Sequence, residues 1–457
     1  MTYKSTNPFT NETFKTYENS SPEQVESALV TVAKFAPTLA QMAFARRSEI
    51  LHRIAKLFKQ EQQPMAQMMT TEMGKLITES LAEVELCINI LDYFADHGEE
   101  FMAPVTLDSS FGKAYYLKQA IGPILMCEPW NFPLYQIIRV FAPNYMAGNP
   151  MILKHASNVP GSARMAADII KRGGAPEGSL INLFVSYDQV EEIIADPRIK
   201  AVALTGSERG GRAVARAAGE HLKKSTMELG GNDAFIILDD ADKTELQKIV
   251  ANARLSNAGQ VCTSSKRFIV LDSYFDEFIE LLTKEFKAVK MGNPLDPKTT
   301  LAPLSSAAAK EKIQVQVDRA VANGAKIIYG NEPVDLPGQF FMPTILSDIT
   351  PDNPIFDEEL FGPVAQVYRV HSEQEAIALA NNSSYGLGST VFSANPARAE
   401  AVAAQIEAGM TFINSAWTSL PELPFGGIKN SGYGRELSEL GQLAFVNEHL
   451  ITNHLDH

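Results

Sequence analysis

Four short segments carry side chains whose types suit carbonyl chemistry with a nucleotide. In AGQVCTSSKR, Cys262 follows the turn-forming Gly259-Gln260 and precedes the strand-like RFIVLD. A thiol on a loop between elements can be reached by a substrate. In STMELGGND, Glu228 lies between Met227 and Leu229 in an apolar segment that ends at Gly230-Gly231. Desolvation there raises a carboxyl toward the range of a general base. In EPWNFPLYQ, two prolines bracket Trp130-Asn131-Phe132. That rigid turn holds an amide that donates without titrating, as an oxyanion hole requires. In AVALTGSERGGRAVARAAG, a strand runs into Thr205-Gly206-Ser207 and then a helix containing Gly211. Such a turn offers backbone amides and a helix N-terminus to a pyrophosphate.

Each segment also has a plain structural reading. A lone cysteine is more often buried and inert, and Cys87 and Cys127, in helical and strand-like apolar runs, fit that reading. Glu228 alone would pass for a capping carboxylate, and the Pro–aromatic turn for a packed corner. The fourth segment lacks G-x-G-x-x-G and alone is an ordinary strand–helix turn. Glu228 and Cys262 are too far apart for local contact, so only a fold can pair them.

The elements that must position these groups follow from periodicity. Residues 21–100 read as helical, with Ser21-Pro22-Glu23 as a start signal. From residue 114, short apolar runs (AIGPILMCEP, MILKHA, SLINLFV, KAVALTG) alternate with helical patterns. A second alternating block follows Gly230 (AFIILDD, KRFIVLD, AKIIYG, PVAQVYRV, GSTVFS). Strand–helix alternation predicts mainly parallel sheets, here two α/β domains joined near residue 230 with a cleft between them. Ligands then sit at the carboxyl ends of the strands.

Composition narrows the class. The chain has 457 residues, 45% hydrophobic and 21% charged, which suits an ordinary globular enzyme. A formal charge of -14 disfavours nucleic acid and anionic membranes as partners, and obliges any site for an anion to carry its own positive charge. Three cysteines with no metal-ligand spacing argue against a disulfide framework and against a metal site. MTYKSTNPFT has no apolar core of a signal peptide, and no run approaches a membrane span. The expectation is a cytoplasmic enzyme. His449, His454 and His457 read as a solvated tail, and LDDADKTE as an acidic helix cap.

The four segments in this order, with EELFGPV (358–364) and LPFGGIKNSGYGRE (423–436), resemble the aldehyde dehydrogenase superfamily over essentially the whole chain. The resemblance is strongest to bacterial succinate-semialdehyde dehydrogenases. It implies an α/β fold of two doubly wound domains plus a small β oligomerisation element. The dinucleotide-binding domain would span 1–105 and 120–229, the catalytic domain 230–430, and the oligomerisation element 106–119 and 431–457. A homodimer or homotetramer follows by the same resemblance.

By resemblance, Cys262 attacks the aldehyde to form a thiohemiacetal, and hydride loss to nicotinamide leaves a thioester. Asn131 and the Cys262 amide hold the oxyanion, and Glu228 activates the hydrolytic water. Cofactor positions carried over are Trp130, Lys154, Gly206, Ser207, Gly211, Leu229, Glu359 and Phe361. Many NAD-preferring members have a glutamate three residues after the lysine, whereas this chain has Ser157. A serine beside Lys154 can donate to a 2′-phosphate that a carboxylate would repel, so NADP is favoured over NAD. Tyr187 adds a hydroxyl nearby.

Arg139 stands eight residues after Asn131, close to the same helix face. Plain aliphatic enzymes of the family often carry an aromatic residue there, and succinate-semialdehyde dehydrogenases an arginine. The expected substrate is therefore an aldehyde with a distal carboxylate, held in the guanidinium fork. Animal members add an arginine six residues before the nucleophile, where this chain has Ser256. Phe132, Tyr135, Trp417, Ser419 and Phe425 are the other substrate-pocket candidates. Three alternatives stay open: a broader enzyme for neutral or longer semialdehydes, a cofactor-independent thiol esterase, and a catalytically silent scaffold protein.

Overall fold

The computed structural model describes residues 2–454. The alternating blocks form two sheets. The first runs Gly432–Tyr433, Lys224–Glu228, Ala201–Thr205, Ile124–Glu128, Met151–His155, Leu180–Leu183 in spatial order. All its neighbours are parallel except Gly432–Tyr433, which is antiparallel to Lys224–Glu228. The second runs Lys326–Tyr329, Thr344–Ser347, Val364–Val370, Arg267–Leu271, Ala234–Ile237, Gly388–Phe392, Met410–Ile413. It too is parallel apart from its first strand. Ile124–Glu128, Ala201–Thr205 and Arg267–Leu271 are buried throughout, as strands covered on both faces must be, which is why they read as unbroken apolar runs. Each sheet has its own core, one around Phe235, Phe268 and Phe278 and one around Phe94, Ile137 and Phe141.

The region 21–100 forms four helices, Pro22–Gln41, Phe44–Gln60, Gln62–Met73 and Ile77–Phe101. Ser21 and Gln24 close a reciprocal capping box on the first. A third sheet is the antiparallel arm Val446–Asn453, Lys113–Ala120, Val105–Leu107. The segment 431–457 therefore divides. Gly432–Tyr433 extends the first sheet, the helix Ser438–Leu443 packs on Ile77–Phe101 and Tyr135–Ala147, and only Val446–Asn453 joins the arm. His449 and His454 belong to the arm or its end, and His457 lies outside the described residues. Asp242 of the acidic run caps the helix Lys243–Leu255 through Thr244 N and Glu245 N.

Three buried carboxylates between residues 72 and 83 tie the helical region to both sheets. Glu72 accepts from Gly161 N at 2.7 Å, Ser162 N at 2.8 Å and Ser162 Oγ at 2.7 Å, capping the helix Pro160–Arg172. Glu79 accepts from Asn257 N at 2.7 Å and Ser256 Oγ at 3.1 Å. Glu83 accepts from Leu134 N at 2.8 Å and Tyr135 N at 3.0 Å, and pairs with Lys75. Helix starts expose unpaired N–H groups, which Glu72 and Glu83 satisfy, whereas Glu79 holds the turn that follows the helix Lys243–Leu255. No single helix among the described residues is long and apolar enough to cross a membrane.

Candidate active site

Local strain shapes the thiol loop. Asn257, Ala258 and Gly259 take successive left-handed conformations, with φ of 50°, 54° and 74°. An alanine there costs roughly 1–2 kcal/mol, so outside contacts must hold it. Glu79 holds the Asn257 amide from one side. Arg254, fully buried, holds the other side by donating to Gly259 O, Ser264 Oγ, Leu360 O, Gly362 O and Val364 O. Gly259 is required by space as well, since a Cβ there would lie 2.3 Å from Gly362 O. The loop thus presents Cys262 half-buried, in the lining of a cleft of about 640 Å³.

That cleft gathers Trp130, Asn131, Lys154, Ser157, Tyr187, Gly206, Ser207, Leu229, Cys262, Glu359 and Phe361. Asn131 Nδ2 donates to Gln260 O at 3.1 Å, and Asn257 Nδ2 donates to Asn131 O at 2.9 Å, so the amide is locked to the thiol loop. Ser207 caps the helix Glu208–Glu220, whose N-terminus faces the cleft. Gly211 does not line the cleft. Leu229 occupies the space its side chain would take, 2.6 Å from a built Cβ, so the glycine serves helix–strand packing. The Lys154 ammonium lies 5.5 Å from the Tyr187 ring centre, and Trp130 meets Phe361 edge-on at 5.8 Å. Among the described lining residues Glu359 is the one carboxylate, against the cations Lys154, Arg209 and Lys312. A dinucleotide with a pyrophosphate and ribose hydroxyls matches this donor set.

Glu228 ends its strand behind the cleft wall, 2% exposed, with neither carboxylate oxygen hydrogen-bonded. It belongs to a row. Cys127 pairs with Leu204, and Thr205, the next residue, pairs with Glu228, so the strand ends carry Glu128, Thr205 and Glu228 side by side. Residues in register share a face. Burial pushes both Glu128 and Glu228 well above the carboxylate range, Glu436 adds to the rise, and Arg139 opposes it. Burial likewise pushes the Cys262 thiol up to about 12, against the pull of Lys266 and Arg139.

Arg139 requires a correction. The free fork expected from its helical spacing is not presented. The side chain is 1% exposed and forms an ion pair with Glu436, without an aligned hydrogen bond. It also donates to Thr205 Oγ1 at 3.0 Å and to the Tyr135 hydroxyl at 3.2 Å. Burial disfavours its charge, but Glu436, Tyr135 and Glu228 outweigh that and hold it above its usual value. Tyr135 in turn bonds Ser419 Oγ at 2.6 Å. Phe132 meets Tyr135 at 5.9 Å and Trp417 at 6.3 Å, so Phe132, Tyr135, Trp417 and Ser419 form one wall. Phe425 lies behind it, 4.6 Å from the Arg139 guanidinium and 5% exposed. Ser256 points to Glu79 rather than into a pocket.

Sequence reasoning missed Lys266, Arg254, Glu128, Arg209 and Lys312. Lys266 and Arg254 sit in segments that read as ordinary strand and helix, and only the fold shows them buried against carbonyls. Ser306, which caps the helix Ala307–Ala322 bearing Lys312, carried a readable N-cap signal.

Comparison with known proteins agrees with this geometry. The sequence profile of the aldehyde dehydrogenase family matches residues 1–450. A succinate-semialdehyde dehydrogenase [NADP(+)] of Deinococcus radiodurans is 43% identical over 98% of this chain and 94% of its own length. The crystal structure of succinic semialdehyde dehydrogenase from Streptococcus pyogenes with NADP+ superposes with a TM-score of 0.98 at 55% identity, covering 99% of each chain. A betaine aldehyde dehydrogenase of Staphylococcus aureus in complex with NAD+ superposes at 0.94 with 29% identity, over 98% of this chain and 91% of that one. The chain belongs to the aldehyde dehydrogenase family.

Proposed function

We propose that the chain oxidises a short aldehyde with a distal carboxylate, succinic semialdehyde foremost, to the acid, with NADP preferred over NAD. The observation that carries this reading is the cleft's charge. In a protein of formal charge -14, the cleft sets Lys154, Arg209 and Lys312 against the single acid Glu359. Ser157, not a carboxylate, stands beside Lys154. That surface accepts a 2′-phosphate and draws anions into the site. The relatives described as using NADP(+) support it.

In this reading the Cys262 thiolate adds to the aldehyde carbon, and the second N–H of Asn131 Nδ2, the first being held by Gln260 O, donates to the oxyanion with the Cys262 amide. Ser207, Glu359 and Phe361 would hold the dinucleotide, whose nicotinamide would accept the hydride that the thiohemiacetal loses on becoming a thioester. Glu228 turns from its buried position toward the thioester and takes a proton from the attacking water. Water oxygen bonds to the carbonyl carbon, the C–S bond breaks, and the thiolate is regenerated. The substrate carboxylate meets the Tyr135 and Ser419 hydroxyls, with Arg139 acting through Tyr135. The open outer edge of Val446–Asn453 supports a homodimer or homotetramer, and the reading places the enzyme in the cytoplasm.

One observation favours a broader substrate range. Arg139 is already paired with Glu436, which leaves the acid only hydroxyl donors. Succinic semialdehyde, glutaric semialdehyde, acetaldehyde and benzaldehyde assayed with both cofactors decide the matter. Succinic semialdehyde with NADP should show the highest kcat/KM. A hundredfold preference for NAD, or equal rates on acetaldehyde, would overturn the reading.

A further inference from the structure

We propose that Lys266 is a positioning residue for the nucleophile, holding the Cys262 loop by its carbonyls and supplying a positive field that favours the thiolate, and that Glu359 gates this field. Lys266 stands four residues after Cys262, with its ammonium wholly buried. It donates to Val261 O at 2.9 Å, Cys262 O at 2.6 Å and Ser264 O at 3.0 Å. An ammonium has three N–H donors, so the three carbonyls use all of them and fix the charge within the thiol loop, where its field reaches Cys262. A neutral amine would leave one carbonyl unpaired in a dry site, which costs free energy.

The surrounding charges identify the gate. The ionisable groups facing the thiol are Lys266, Arg139, Glu359 and Asp233. Those facing Lys266 are Glu359, Asp233, Arg254 and Cys262. Arg139 is committed to Glu436, and Arg254 to loop carbonyls. Glu359 lies 3.6 Å from the ammonium, and the same oxygen accepts from Gly231 N at 3.0 Å. Asp233 is pushed up to about 7, chiefly by burial, so near neutrality it is a weaker counter-ion than a full carboxylate. Glu359 is therefore the acid that quenches Lys266, and it is also the carboxylate on the cofactor cleft. When Glu359 accepts ribose hydroxyls, its charge is turned away from Lys266 and the field at Cys262 grows. The S–H bond then breaks more readily, and the proton leaves to water in the cleft. The gating half rests on the cofactor reading above; the field itself does not.

The test is the pH dependence of Cys262 alkylation by iodoacetamide on the full chain, without cofactor or aldehyde. Cys87 and Cys127 are buried, and peptide mass assigns the modified site. Lys266→Met should raise the apparent thiol pKa by about one unit, a tenfold slower alkylation at neutral pH. Lys266→Arg should keep the wild-type profile. Glu359→Gln should lower the apparent pKa, and added NADP should lower it in wild type but not in that variant. A Lys266→Met profile that superposes on wild type overturns the field. A Glu359→Gln profile that is unmoved or raised overturns the gate. If Lys266→Met does not fold, Lys266→Gln, which keeps two N–H donors for the loop carbonyls but no charge, takes its place and should show the same rise; a Lys266→Gln profile that superposes on wild type overturns the field. Since alkylation needs no aldehyde, these outcomes are separate from failure of the semialdehyde assignment.

Discussion

Replacing Arg139 by methionine strands Glu436, and the cost can be worked from the structure. Glu436 is 5% exposed and faces Arg139 as its ion-pair partner. Removing one member of a buried pair typically costs about 3–5 kcal/mol. Glu436 can limit that by taking up a proton. Burial already holds its carboxyl above the ordinary value with Arg139 in place, so protonation at pH 7 costs less than the roughly 3.4 kcal/mol that an unperturbed carboxyl would require. Losing the donor to Thr205 adds about 1 kcal/mol. The expected loss at pH 7 is therefore about 3–4 kcal/mol. In the variant the folded chain binds the Glu436 proton more tightly than the unfolded chain does. Relative to wild type the penalty is absent below the raised range in which wild-type Glu436 titrates, and above it grows by up to about 1.4 kcal/mol per pH unit. Denaturant midpoints at pH 5.5 and 7.5, for Arg139→Met, Glu436→Gln and the double variant, measure this. The double variant should recover all but about 1–1.5 kcal/mol of the loss. A pH-independent loss with additive single effects would refute the pairing. Unchanged stability with a hundredfold fall in preference for succinic semialdehyde over butanal would restore the free fork.

Ser157→Glu should move cofactor preference toward NAD, because a carboxylate repels a 2′-phosphate and bonds ribose hydroxyls. The kcat/KM ratio for NADP over NAD should fall roughly a hundredfold, about 2.7 kcal/mol. Glu228 works as a base only when ionised, so its raised pKa places the acid limb of kcat above the usual carboxylate range. Glu436→Gln removes the neighbouring acid that adds to the rise at Glu228, and should shift that limb to lower pH. A limb unmoved in the pH–rate profile argues against the coupling. Gly259→Ala meets both φ of 74° and the Gly362 carbonyl. It should lower Tm and suppress alkylation of Cys262 together, by a destabilisation of roughly 2 kcal/mol or more.

The alternation that predicted two parallel sheets was legible because strands covered on both faces have no polar side to break the run. Cys262, Asn131 and Glu359 were readable as motifs, yet their meeting in one cleft depends on two sheets that no local pattern joins. Arg139 shows the limit most clearly. Helical spacing told which face it occupies, but the partner that meets that face, Glu436, comes from almost three hundred residues later. The Glu128–Thr205–Glu228 row was hidden for a related reason. The register of parallel strands is set by the helices that connect them, not by the strands' own residues. Lys266 and Arg254 were missed because a charged residue is ordinarily solvated, and nothing local reveals that carbonyls will replace the water.

The acids Glu72, Glu79 and Glu83 also set an order of events while the chain is being made. Each is synthesised long before the donors that satisfy it. Leu134 follows Glu83 by 51 residues, Gly161 follows Glu72 by 89, and Asn257 follows Glu79 by 178. At about 5–20 residues per second, Glu79 waits roughly 9–36 s for its partner. Until then the helical region cannot close over its carboxylates without burying bare charge. The nascent N-terminal helices must stay open or in contact with water until the thiol loop has left the ribosome. The active-site loop is thus among the last pieces needed to finish the part of the molecule that is made first.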